Sequence, residues 1–263
     1  MAFISIYQYG DLYKIVWNKS GITNPNEFII NESKEKHNNS EKLDNNIKRA
    51  KSTIMEYAQC NEWEYFFTFT IDKEKQDRFD LKQYIKDLGN WIGNYNKKYN
   101  TKLQYILIPE QHQDGAWHSH GLLNGVTKDS IIINKFGYLD MPYYADRFGY
   151  ISLSPIRDKT KVSFYITKYI CKDFSSRLYD SGAHLFYTSK GLKKRDICFQ
   201  GEMAVDKNAL YNEMYITDYC GVMWCDSIPD FITKADIIST YEKDTKTRTT
   251  TENIYNMYDE RYI

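Results

Sequence analysis

The sequence predicts an α+β fold, an antiparallel β-sheet with helices packed on it. Three observations lead there. Short alternating segments such as "EYFFTFTID" read as half-buried strands. Longer ones such as "DLKQYIKDLGNWIGNYNKKYN" carry an apolar stripe at helical spacing, and the two kinds follow one another as β-α-β-β-α-β. At 263 residues and 42% hydrophobic content, the chain has enough apolar surface for a sizeable core.

Taken in order, the first 20 residues read as a strand pair around "YGDL". The polar "NPNEFIINESKEKHNNSEK" reads as a loop leading into a helix over about 41–60. In the strand 64–72, Phe67, Phe69 and Ile71 share one face, and Phe66, Thr68 and Thr70 the other. The next helix puts Leu81, Tyr84, Ile85, Leu88, Trp91 and Ile92 on one stripe. "LQYILIPEQH" and "WHSHGLLNG" are two strands joined around "QDGA", a hairpin signal. A less regular, Tyr-rich stretch ends in the strand-like "YISLSPI", and "KTKVSFYITKYICKDF" (159–174) has a helical period. "AHLFYTS", "DICFQGEM" and "EMYITDYCGVMWC" read as strands. The expectation is a single domain over 1–225, with an N-terminal extension and a core over about 60–200. Residues 226–263 are expected to be a C-terminal extension or flexible tail.

Composition narrows the function classes. No apolar run is fit to span a membrane, and the N-terminus lacks the basic-then-apolar layout of a signal peptide. Five cysteines without a C-x-x-C pair argue against a disulfide framework and for a reducing cytoplasm. The formal net charge of zero argues against a general nucleic-acid coat protein. The charge is uneven, however. Residues 158–200 hold nine Lys or Arg against four Asp, while residues 226–263 hold five basic and eight acidic residues. A site-specific DNA enzyme needs a basic groove, not a basic surface.

Two motifs carry chemistry. In "HQDGAWHSHGLL", His118 and His120 lie at i and i+2 of a strand, so both imidazoles point to one face and can grip one metal ion. The third ligand depends on the hairpin register. A two-residue turn at Asp114-Gly115 puts Gln111 opposite His118 and Glu110 on the wrong face. A three-residue loop, Asp114 to Ala116, puts His112 opposite His118 and Glu110 opposite His120, all on one face. The second register is preferred, with Glu110 as third ligand and His112 as the alternative. A cupin barrel also uses H-x-H, but it expects a Glu soon after the pair, and "GLLNGVTKD" offers none.

The second motif is "FYITKYICKD". At 100° per residue, Tyr165, Lys168, Tyr169 and Lys172 occupy an arc of roughly 100°, beside a core-facing stripe of Val162, Ile166 and Ile170. A phenol with a pKa of about 10 is a poor nucleophile, and nearby cations favour the phenolate. The lysines can also hold a phosphate. Taken alone, the same residues describe an amphipathic helix whose aromatic edge caps the core.

Together and in this order, the strand "FFTFTID", the block "PEQHQDGAWHSHGLL" and the helix "FYITKYICKD" resemble the HUH endonucleases. The closest resemblance is to the rolling-circle replication initiators of small single-stranded DNA phages and plasmids, over residues 64–174. Serine stands between the histidines where the family usually has a bulky residue. Relaxases place the tyrosine before the histidines, and HUH transposases usually carry one catalytic tyrosine, so both fit less well.

The resemblance implies a ferredoxin- or RRM-like core and a divalent ion, Mn²⁺ or Mg²⁺, on His118, His120 and Glu110. It implies attack by Tyr165 or Tyr169, a 5′-phosphotyrosine link, and Lys172, with Lys168 as second choice, steadying phosphate or phenolate. Tyr169 is expected to start the reaction, as the less buried copy and the one most like single-tyrosine members. Partners follow in kind: single-stranded DNA or an origin hairpin, and a helicase and polymerase of a bacterial host cell, with no membrane. The chain has no G-x-x-x-x-G-K-[ST], so unwinding must come from another enzyme. Lys190, Lys193, Lys194 and Arg195 in "SKGLKKRD" are candidate DNA-backbone contacts, and Trp117 is either a core residue or a base-stacking one. The competing readings are a non-catalytic origin-binding protein of the same fold and a metal hydrolase unrelated to DNA. The latter would leave the Tyr-Lys helix without a role.

Overall fold

The computed structural model describes residues 2–19, 39–170 and 183–232, with side chains of the first helix described from Asp44 onward. Along the chain run β1 (Ala2–Tyr9), β2 (Leu12–Asn18), α1 (Asn39–Cys60), β3 (Tyr65–Thr70), α2 (Leu81–Tyr99), β4 (Gln104–Gln111) and β5 (Trp117–Asn124). There follow β6 (Ile132–Ile133), β7 (Leu139–Asp140), α3 (Pro142–Ala145), β8 (Ile151–Pro155) and α4 (Lys159–Ile166). The remainder is β9 (Tyr187–Thr188), β10 (Asp196–Met203), α5 (Lys207–Glu213), β11 (Tyr215–Ile216) and β12 (Cys220–Cys225). Two antiparallel sheets with helices packed on them make this the α+β fold the sequence predicts. Among the described residues, no helix is long and apolar enough to cross a membrane.

The chain divides into two compact units. One joins the N-terminal hairpin to residues after 192, in a sheet of order β10-β1-β2-β12-β11. Gly10, at φ 62, opens the two-residue turn between β1 and β2. Ile4, Ile6, Ile15 and Trp17 pack with Phe199, Met203, Leu210 and Ile232. The stretch read from sequence as one domain, 1–225, is thus shared between the units, because β1 and β2 pair with β10 and β12. Ile228, Phe231 and Ile232, at the start of the expected tail, join this core; residues 233–263 lie outside the described residues. The helix α5 was not read from sequence, and the strand expected over "EMYITDYCGVMWC" is two strands, β11 and β12. "AHLFYTS" contributes only the two residues of β9.

The other unit, residues 43–192, holds a seven-stranded sheet of order β6-β7-β8-β3-β5-β4-β9. Alternation along its strands separates two cores. On one face, α2 lays Leu81, Tyr84, Leu88, Trp91 and Tyr95 against Phe67, Phe69, Leu107 and Leu123. That helix starts where the Asp80 carboxylate accepts the Gln83 N–H at 3.0 Å, and it ends at Asn100, in the left-handed conformation with φ 49. On the other face, α1 and α4 bring Ile47, Ile54, Ala58 and Ile166 onto Ile106, Ile108 and Leu122. The histidine strand therefore lies in the middle of a sheet covered on both sides, between β3 and β4.

That position demands a glycine. Gly121 pairs with Phe67 on one side and Leu107 on the other, and the Phe67 ring lies over it. A Cβ at Gly121 would run into the Ile106 carbonyl oxygen and the Phe67 ring. Gly121→Ala is expected to destabilise the protein by about 3 kcal/mol in denaturant unfolding, the upper part of the range for overpacked cores. A cost below about 1 kcal/mol would mean that β5 shifts freely, against this packing.

Candidate metal centre and tyrosine pair

The centre is built on cross-strand rows. Glu110 of β4 stands opposite His118 of β5, which stands opposite Thr70 of β3; Ile108, His120 and Thr68 form the next row. All of these side chains except Ile108 are polar, and all share the face covered by α1 and α4. The hairpin loop has three residues, as expected, but it begins one residue earlier. His112 pairs with Ala116 through its N–H at 2.8 Å, leaving Gln113 to Gly115 as the loop. The Gly115 N–H bonds the His112 carbonyl at 2.9 Å, and Gly115 itself takes φ 87. This is a type I turn followed by a left-handed glycine, the usual three-residue hairpin loop. The expected pairing of Glu110 with His120 and His112 with His118 is therefore corrected by one step. Glu110 faces His118, on the same side of the sheet as before.

The three expected ligands converge. Nε2 of His118 lies 3.0 Å from Glu110 Oε2 and 3.0 Å from Nε2 of His120, which lies 2.8 Å from the same carboxylate oxygen. His118 is buried and Glu110 half-buried. Hydrogen bonds from His118 first and His120 second hold the Glu110 carboxyl down to about 2, against the opposing effect of burial, so it is an anion. Nδ1 of His120 lies 3.1 Å from the Thr68 hydroxyl, which leaves Nε2 to face the centre. Two imidazole nitrogens and a carboxylate within 4.8 Å of one another suit a divalent ion. His112 is not in this group; its ring packs at 3.9 Å from that of His118.

The tyrosines arrive from α4. The helix expected over 159–174 is α-helical only to Ile166 and tightens into a 3₁₀ turn over Thr167–Tyr169. The Thr167 hydroxyl bonds the Phe164 carbonyl three residues back at 2.7 Å, a local competitor to the α-helical ladder. Ile166 and Ile170 stay buried in the core, as their stripe predicted. Tyr165 and Tyr169 hydroxyls meet at 3.0 Å. The Tyr169 ring stacks on His120 at 4.0 Å and 23°. Tyr169 is the more enclosed of the two, contrary to expectation; Tyr165 is 42% exposed. Burial first, then the Tyr165 hydrogen bond and the Tyr165 and Glu110 charges, push the Tyr169 phenol above its ordinary pKa.

Sequence reading missed two residues of this site. Thr68 orients His120, and the Phe66 ring contacts Tyr165, Tyr169 and His120 at 5.7, 6.0 and 6.0 Å. Their alternation on β3 was the available signal, since it put both on the face opposite Phe67. Lys168 lies with Nζ 4.3 Å from the centre of the Tyr165 ring, and Lys172 lies outside the described residues. Trp117 is a core residue, its Nε1 donating to the Phe79 carbonyl at 3.2 Å. The basic segment is split between the two units: Lys190 lies in one, and Lys193, Lys194 and Arg195 in the other. Arg195 packs over Tyr7 at 4.6 Å and bonds the Tyr9 hydroxyl at 3.1 Å.

Residues 64–174 match a family model of replication-associated proteins, the ORF2 type. The match runs from β3 through the hairpin to the tyrosine segment, and it supports a Rep-type replication-associated protein that interacts with DNA. No curated protein and no solved structure matches the chain.

If Thr68 orients a metal ligand, Thr68→Val should weaken Mn²⁺ binding by about 10- to 100-fold in calorimetric titration, with the fold intact. Glu110→Ala should weaken it more than His112→Ala. The reverse order would replace Glu110 by His112 as third ligand.

Proposed function

We propose that this chain is a metal-dependent endonuclease of the HUH type that nicks and rejoins single-stranded origin DNA to initiate rolling-circle replication. One observation carries the reading. Two tyrosine hydroxyls 3.0 Å apart stand beside a His-His-Glu cluster, and one of their rings stacks on a histidine of that cluster. A hydrolase that used a metal-bound water would have no use for the paired phenols.

His118, His120 and Glu110 hold the ion, Mn²⁺ or Mg²⁺, with two imidazoles favouring Mn²⁺ by ligand softness. When bound, the ion supplies a Lewis acid to the scissile phosphate and offsets the Glu110 charge that keeps Tyr169 protonated. Tyr169, held against His120, gives up its proton and attacks phosphorus through its phenolate oxygen. The P–O3′ bond breaks, its electron pair stays on O3′, and a proton completes the 3′-OH. The product is a 5′-phosphotyrosine, and attack by a 3′-OH reverses the step and rejoins the strand. Tyr165 is the second nucleophile, which holds or cuts the next end after a round of synthesis. Lys168 and Lys172 steady phosphate or phenolate. A polymerase extends the free 3′-OH and a helicase unwinds the duplex, both supplied by the cell.

Tyr→Phe variants keep the ring packing and remove only the hydroxyl. Tyr165→Phe and Tyr169→Phe should each still form some covalent adduct with origin DNA in Mn²⁺, on a denaturing gel, but fail to complete circles; the double variant should form none. Loss of all adduct in Tyr169→Phe, with normal circles in Tyr165→Phe, would reduce Tyr165 to a structural residue. Adduct formation at the wild-type rate in a chelator, or in His118→Ala or His120→Ala, would contradict the metal-dependent mechanism.

A further inference from the structure

We propose that Tyr150 is a base-stacking platform that fixes the register of the single strand on the metal centre. The inference rests on the DNA-nicking reading above and adds the path of the substrate. Tyr150 precedes β8, which pairs with β3 on the side away from β5. The Thr70 N–H bonds the Tyr150 carbonyl at 2.8 Å, so the ladder places Tyr150 opposite Thr70. Thr70 is opposite His118, and His118 is opposite Glu110. One cross-strand row therefore runs Tyr150, Thr70, His118, Glu110, with side chains on one face.

Along that row, enclosure gives way to an open surface. His118 is buried, Thr70 half-buried, and Tyr150 is 71% exposed. In the next two rows β8 presents Ser152 opposite Thr68 and Ser154 opposite Phe66, both serines exposed. The sheet face next to the metal centre is thus a strip of hydroxyls ending in an aromatic ring. Hydroxyls bond phosphate and sugar oxygens, and an exposed ring takes a base of any sequence.

The ring is rigidly mounted. Gly149, at φ 140, lies so close to β3 that a Cβ would come within 2.6 Å of the Thr70 carbonyl oxygen and the Asp72 nitrogen. The Asp72 N–H bonds the Phe148 carbonyl at 2.8 Å, so the backbone on both sides of Tyr150 is tied to the strand that carries Thr68 and Thr70. A fixed aromatic ring exposed to water is costly to maintain and well suited to stacking, because little side-chain freedom remains to be lost. Two strand spacings of about 4.8 Å separate β8 from β5, roughly three stacked-nucleotide rises of about 3.4 Å. A base on Tyr150 therefore belongs to a nucleotide close to the scissile phosphate, and its position decides which phosphate meets the ion.

The test uses the full chain and a randomised single-stranded oligonucleotide pool, from which a binder is selected with the wild-type protein. That binder is then made with one abasic position at a time. Wild type should lose affinity about tenfold or more at one position near the cut. Tyr150→Ala should bind the intact oligonucleotide about tenfold or more weaker, show no further loss at that position, and cut at scattered phosphates. Tyr150→Phe and Tyr150→Trp should restore both affinity and cutting position. A wild-type abasic profile in Tyr150→Ala, with Mn²⁺ binding intact, overturns the stacking role and leaves the nuclease reading standing. Failure of the wild type to retain or cut any single strand overturns both.

Discussion

The register of the β4–β5 hairpin is the constraint on which the site depends. With Gln113 to Gly115 as its loop, Glu110 and His118 are direct neighbours and His120 follows on the same face. A slip of one residue would turn both histidines toward α2, into the core that holds Trp117 and Leu123. The loop is fastened at several points: the Asp114 carboxylate accepts the Ala116 N–H at 3.0 Å and pairs with Arg78 at 3.1 Å. The Trp117 N–H bonds the Arg78 carbonyl at 2.8 Å. None of these groups faces the metal ligands, yet together they decide where the ligands point.

The electrostatics of the centre pull in two directions. Glu110 is held ionised by the two histidines, and that charge helps keep Tyr169 protonated. A phenol stacked on His120 is well placed but unreactive, and the same cluster that suppresses its ionisation is the one that fits a divalent cation. Positioning is thus supplied by packing through Phe66 and His120, while activation waits on a charge that the protein's own groups do not provide.

Much of this was legible in the sequence. The H-x-H spacing, the alternation in "FFTFTID" and the stripe of Ile166 and Ile170 each depend on strand or helix periodicity alone, and the structure brings those residues together. The hairpin register was missed by one step. Sequence reading centred Gly115 in the loop, whereas a three-residue loop closes on its left-handed glycine, which then stands last. The tightening of α4 escaped a wheel drawn at a constant 100° per residue, because a side-chain hydroxyl, Thr167, sets it. Thr68 and Phe66 become site residues only once β3 is known to pair with β5, a long-range fact that periodicity does not contain. For the same reason, nothing local announces that the N-terminal hairpin pairs with strands from beyond residue 192.

The central claim is that Glu110, His118 and His120 together bind one divalent ion beside the tyrosine pair. Its most direct measurement is electron paramagnetic resonance of Mn²⁺ bound to the purified protein, with nitrogen couplings resolved by electron–nuclear double resonance. The account predicts one tightly held Mn²⁺ with couplings from two imidazole nitrogens, one of them lost in His120→Ala. Mn²⁺ held with no imidazole coupling, or no tight binding in the folded protein, would contradict it.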